Sequence, residues 1–124
     1  MQQWIAIAAG GALGALARYG VASAVHGALG RGFPYGTLVV NALGSLLIGV
    51  CYVALVERTQ AAGEWRALLM VGFLGAFTTF STFSLESLGL LERAEYGKAV
   101  ANVLLNVLLC LLAAGAGLWL ARRW

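Results

Sequence analysis

Gly72-Phe-Leu-Gly-Ala-Phe-Thr-Thr-Phe-Ser-Thr-Phe-Ser84 lies inside a long apolar run, yet it sets two Gly, three Thr and two Ser among four Phe. A helix surrounded only by hydrocarbon gains nothing from that mixture. Gly and β-branched Thr weaken the helix, and the hydroxyls compete for its backbone partners. Non-helical backbone at membrane depth survives only where protein buries it or where it lines a cavity. The stretch therefore predicts a transmembrane helix broken near its middle, with carbonyls freed for a cation. Phe80 and Phe83, at i and i+3, share a face.

The surrounding chain asks for a lipid solvent. Of its 124 residues 61% are hydrophobic and 10% charged, whereas soluble domains carry about a quarter charged residues. Four runs, about 4–25, 35–56, 66–91 and 99–120, each supply the about 20 residues that a helix needs to cross a bilayer. The fold class is an all-α membrane protein, a single four-helix transmembrane domain over residues 1–124 with no length left for a soluble one. Residues 27–36 and 57–65 read as connectors, the first punctuated by Gly30, Gly32 and Pro34. Met1-Gln-Gln-Trp4 lacks the basic start of a secretory signal, so the first span is expected to be retained. With one histidine, His26, and no nucleophile–base pairing, the sequence offers neither a histidine metal cluster nor a catalytic triad. Cys51 and Cys110 fall within spans, where the ordinary role is a small buried hydrophobe. A net charge of +3 gives no sign of a nucleic-acid partner.

Polar residues inside the spans carry the functional signal. Gly10 and Gly14 form a small-xxx-small face on span 1, and Gly44, Ser45 and Gly49 form another on span 2. Arg18 either snorkels from the end of its span or faces an aqueous vestibule that draws anions. Asn41 is either interhelical glue or a donor facing a pore. Asn102, Asn106 and Cys110 recur at i, i+4 and i+8, one polar seam on span 4 that serves a helix contact or a lined path. Glu86 is an intramembrane acid by position, with a structural role favoured over a functional one. Trp4, Arg122, Arg123 and Trp124 are interfacial anchors.

Orientation follows from Lys and Arg in the short loops. One side holds Arg58, Arg66, Arg122 and Arg123; the other holds Arg18, Arg31, Arg93 and Lys98. Equal counts predict insertion both ways up and an antiparallel, dual-topology homodimer whose two-fold axis lies in the membrane plane. Two copies of two freed carbonyls on that axis make a neutral oxygen cage suited to a small hard cation. Elsewhere the membrane inventory is mostly neutral donors, among them Thr37, Asn41, Ser81, Thr82, Ser84, Asn102 and Asn106. Donors without acids suit an anion, and phenyl rings offer a positive edge.

The stretch 72–84 resembles the signature of the Fluc (CrcB) fluoride channels. So do Gly10-Gly-Ala-Leu-Gly-Ala-Leu-Ala-Arg-Tyr19 and Gly36-Thr-Leu-Val-Val-Asn-Ala-Leu-Gly-Ser45, in order along nearly the whole chain. The resemblance implies an antiparallel homodimer in the bacterial plasma (inner) membrane that lets fluoride leave the cytoplasm passively through two pores. It implies a structural, untransported sodium ion on the carbonyls of Gly75 and Thr78. It places Phe80, Phe83 and Asn41 in the pore, Thr37, Ser81 and Thr82 near it, and Arg18 near its mouth. Ala76 and the Asn102/Asn106/Cys110 seam depart from the glycine and hydroxyl residues frequent in the family.

The physical problem suits such a solution. Hydrogen fluoride is a weak acid that enters neutral and dissociates inside, so a selective leak driven by the membrane potential relieves it without ATP. Selectivity comes from replacing the ion's hydration with pore donors. The competing reading is a small dual-topology multidrug/proton exporter, which needs a membrane-embedded acid. Span 1 has none, and only Glu86 could serve.

Overall fold

The computed structural model describes residues 1–124 and is helical throughout, without strands. Four helices are long and apolar enough to cross a membrane: Gln2–Leu29, Tyr35–Arg58, Gly63–Glu92 and Tyr96–Arg122. Only 22 of 124 residues are buried, so most of the apolar surface of one chain must face lipid or protein. The chain is a multi-pass membrane protein.

Helix α1 (Gln2–Leu29) runs past the expected end of span 1 and stops at Gly30, whose φ of 81° is open to glycine at little cost. The connector is therefore residues 30–34, shorter than the one read from sequence. Helix α2 (Tyr35–Arg58) begins after Pro34, and the Gly36 N–H donates to His26 Nε2 at 3.3 Å, joining the end of α1 to the start of α2. Its last stretch, Val53–Arg58, widens into a π-helix. The next connector is residues 59–62 rather than 57–65.

The third span consists of two helical pieces. Helix α3 (residues 63–77) includes a π-helical stretch, Ala67–Leu74. Thr78 and Thr79 are extended, with ψ of 158° and 115°, and helix α4 (Phe80–Glu92) follows. The hydroxyl of Thr79 caps α4 by accepting the Thr82 N–H at 3.2 Å. At the far end Glu95 N–H donates to Leu90 O and Ala94 N–H to Leu91 O, a Schellman closure. Ala94, at φ 58°, holds the position that glycine usually takes. Helix α5 (Tyr96–Arg122) begins and ends a few residues outside the expected span.

Two helix pairs meet backbone to backbone at more than one glycine. A Cβ at Gly10 would strike Leu68 O, one at Gly14 would strike Phe73 O, and one at Gly72 would lie 2.8 Å from Ile7 O, so α1 and α3 touch directly. Gly49 lies against Ala114 O and Gly117 against Leu46 O, which does the same for α2 and α5. Small residues permit this approach, and dispersion between close backbones replaces the hydrophobic drive that lipid cannot supply. The glycine face expected at Gly10 and Gly14 thus finds its partner in α3, and the one at Gly44 and Gly49 finds Thr78 and α5.

Candidate functional site

The interruption at Thr78–Thr79 changes where backbone hydrogen bonds go. In an unbroken helix the Thr79 N–H would bond the Gly75 carbonyl. It donates instead to Asn41 Oδ1 at 2.7 Å. The Thr82 N–H would bond the Thr78 carbonyl but goes to the Thr79 hydroxyl. Gly75 and Thr78 therefore both lose the donors that a continuous helix would give their carbonyls. The Thr78 hydroxyl turns back to Leu74 O at 3.0 Å.

Asn41 splints the interruption. While accepting the Thr79 N–H, it donates to Thr79 O at 3.0 Å and to Asn106 Oδ1 at 3.1 Å. Both of its N–H groups are thus engaged. The chain of bonds continues into α5, where Asn106 Nδ2 donates to the Oδ1 and the backbone carbonyl of Asn102, each at 3.0 Å. Asn102 Nδ2 donates to Ser87 Oγ at 2.9 Å, and Ser87 to Phe83 O at 2.8 Å. Asn102 is fully buried and Asn106 nearly so. Asn41, Thr79, Asn106, Asn102 and Ser87 thus form one ladder binding α4 to α2 and α5.

Beside that ladder lies a cavity of about 490 Å³. Asn41, Gly75, Thr78, Phe80, Phe83, Asn106 and Cys110 all line it, which brings residues of three spans together. The rings of Phe80 and Phe83 are 5.2 Å apart and tilted by 54°, with Phe83 buried and Phe80 77% exposed. Cys110 and Cys51 are only half-buried, and Cys110 faces the cavity, which corrects the expectation of small buried hydrophobes. Its place one turn beyond Asn106 is the reason.

Other candidates lie elsewhere. Thr37 is buried and donates to Glu86 Oε1 at 2.8 Å, while Glu86 Oε2 is buried without a partner. Ser81 and Thr82 cluster on the Thr79 hydroxyl, at 3.3 and 3.0 Å, Ser81 exposed and Thr82 half-buried. Asn102 is sealed within the ladder. Arg18 is half-buried on α1, away from the cavity. Thr79 and Ser87 were not singled out from sequence. Ser87 is four residues from Phe83 and so on its face, a signal that periodicity could have supplied; the hydroxyl cap of Thr79 required the break to be located first.

A multi-pass helical protein with hydrogen-bonded polar residues beside a cavity at a helix interruption has the build of a small channel or transporter. The family model described as CrcB-like protein, Camphor Resistance (CrcB) matches residues 5–118, and the chain belongs to that family. It is 56% identical over 118 residues to a "Fluoride-specific ion channel FluC" of Methylococcus capsulatus, covering 95% of this chain and 52% of that relative. Proteins with the same name from Magnetococcus marinus and Hahella chejuensis are each 49% identical, over 96% and 94% of this chain and 95% and 91% of their own lengths. The chain thus spans about half of the first relative and nearly all of the other two.

Proposed function

We propose that the chain is a fluoride-selective channel that lets the ion leave a bacterial cytoplasm passively, across the plasma membrane, and is not an enzyme. The observation that carries this is the convergence of Asn41, Phe80, Phe83 and Asn106 on one cavity beside the Thr78–Thr79 interruption, in a chain about half identical to proteins named for fluoride conduction. Aromatic ring edges and amide N–H groups are the donors that can replace a small anion's water. Because both Asn41 N–H groups are engaged, an entering anion takes the one now shared with Asn106. The other remains on Thr79 and keeps the interruption in place.

The working unit in this reading is an antiparallel homodimer of dual topology, with the interruption at mid-membrane. The equal Lys and Arg counts on the two sides support it. So does the exposure of Phe80 and Gly75, which leaves a second copy something to meet. The carbonyls of Gly75 and Thr78, lacking their helix donors, fit a hard cation. With a second copy's pair they would hold a structural sodium ion, which supplies a fixed positive charge tying the two interruptions together. Thr37, Ser81 and Thr82 line the approaches, and Arg18 attracts the anion at the mouth. Asn102 supports the route from behind.

Purified protein in liposomes under a potassium gradient, read with a fluoride electrode, tests the reading. Fluoride efflux is expected from the parent and is expected to be lost in Asn41→Asp and Phe80→Ile. Proton-coupled drug movement without fluoride efflux would replace it with the exporter.

A further inference from the structure

We propose that the cleft between the C-terminal ends of α2 and α5 holds one acyl chain of an anionic phospholipid, with Arg58 taking its phosphate. The cleft has a volume of about 290 Å³, and its walls are Val50, Val53, Ala54, Leu120 and Ala121. Arg58 is its only charged lining residue, and Trp124 stands open at its rim. Water inside would find almost nothing to bond and would be held poorly. A hydrocarbon chain has the chemistry of those walls.

The π-helical end of α2 shapes this site. In an α-helix, residues five apart point about 140° away from each other at 3.6 residues per turn. Here the Thr59 N–H reaches back five residues to Ala54 O at 3.3 Å, and the Thr59 hydroxyl reaches the same carbonyl at 2.8 Å. That widened turn brings residues i and i+5 toward one face, so Val53 and Arg58 both border the cleft. The apolar wall and the cation are products of one local distortion.

Charge selects the head group. Glu57, the nearest acid, is committed to Arg122 in a two-pronged pair at 2.6 and 3.1 Å. Arg123 lies 3.8 Å over the Trp119 ring. Among side chains, this end of the bundle carries Arg58, Arg66, Arg122 and Arg123 against Glu57 and Glu64, and Arg58 makes no ion pair with either acid. A spare guanidinium over an apolar cleft at a helix end matches a phosphate above its acyl chain.

The test uses the full chain with Trp4→Phe, Trp65→Phe and Trp119→Phe, leaving Trp124 as the sole indole. It is reconstituted with brominated-chain phosphatidylglycerol or brominated-chain phosphatidylcholine at equal mole fraction. The phosphatidylglycerol is expected to quench Trp124 with roughly fivefold higher apparent affinity. Arg58→Gln is expected to erase that preference, and Ala54→Leu, which fills the cleft, to weaken quenching by both lipids. Neither residue lines the larger cavity, so fluoride efflux reports separately that the variants fold. Equal quenching by the two lipids in the parent, or a preference unchanged in Arg58→Gln, overturns the proposal.

Discussion

On one side of Thr78 and Thr79 the third span leans on α1 through bare backbone; on the other it is tied to α2 and α5 by side-chain hydrogen bonds. Helix α3 meets α1 where Gly10, Gly14 and Gly72 leave no room for a Cβ. Helix α4 is held through Thr79, Ser87 and the asparagines of α2 and α5. The first contact is dry and steric, and its strength comes from close approach. The second depends on every polar group keeping its partner. A span that changes partners partway along must stop being one helix. Two extended threonines, splinted by Asn41, make that change.

Breaking the steric half has the largest expected effect. Gly14→Leu drives a side chain into the Phe73 carbonyl, and overpacking of this kind costs about 1–3 kcal/mol even where side chains can shift. Backbone cannot shift as readily. The variant is expected to lose its monodisperse peak in size-exclusion chromatography and its fluoride efflux together. Gly11→Ala, where nothing lies within 4 Å, is expected to match the parent. A normal Gly14→Leu protein would show that α1 and α3 are not held by this contact.

The cavity at the junction can be probed without disturbing either half. Cys110 faces it and Cys51 does not line it. A membrane-permeant mercurial is expected to remove most fluoride efflux from the parent and from Cys51→Ser, and to spare Cys110→Ser. Block that persists in Cys110→Ser would move the ion's route away from this cavity.

The polar half is expected to respond less steeply. Asn106→Ala frees Asn41 of one partner and removes the donor to Asn102. Each buried polar group left alone costs about 1–3 kcal/mol. The thermal midpoint is expected to fall, and Asn41→Ala added to Asn106→Ala to cost less than the two separate losses combined, because the residues share a bond. Strict additivity would mean that the ladder is a set of independent contacts.

The two halves also differ in what could be read from the sequence. Gly10 and Gly14 announce a contact face by spacing alone, and the Gly/Thr/Ser mixture of residues 72–84 announces a weak helix, because both are local properties. Four spans followed from length and hydropathy. The partner of each glycine face was not legible, since spacing says nothing about which helix supplies the facing carbonyl. The asparagines posed a different problem. Glue and pore donor demand the same residue type at the same period, and Asn41 turns out to bond three groups while lining the cavity. Asn102 and Cys110, eight residues apart on one seam, separate into a sealed amide and a cavity-facing thiol. The depth of α4 beside α5 decides that, and depth is a tertiary property. Helix ends slipped for a similar reason: α3 starts at Gly63 and α5 at Tyr96 because helix continues through polar interfacial residues that hydropathy assigns to loops.

The smallest expected effect lies where α4 ends and its polar tethering gives way to surface charge. The Schellman turn at Ala94 sets Glu95 between Arg93, at 3.1 Å, and Lys98. Lys98 first, and Arg93 after it, hold the Glu95 carboxyl below the ordinary carboxylate value. Over the interval between the lowered folded value and the ordinary one, the unfolded chain binds more protons than the folded one. The pair's contribution is therefore complete above the ordinary value and disappears as pH falls through the folded value. Acidifying from neutral pH to about pH 3, below the ordinary Glu value, should cost the parent slightly more thermal midpoint than it costs Glu95→Gln. High salt should erase the difference, because exposed charges are screened. The ladder of Asn41, Asn106, Asn102 and Ser87 contains only neutral groups, and so does the glycine contact. Neither loses a bond on acidification, so an equal pH response in parent and Glu95→Gln would place the acid-sensitive contact outside this turn.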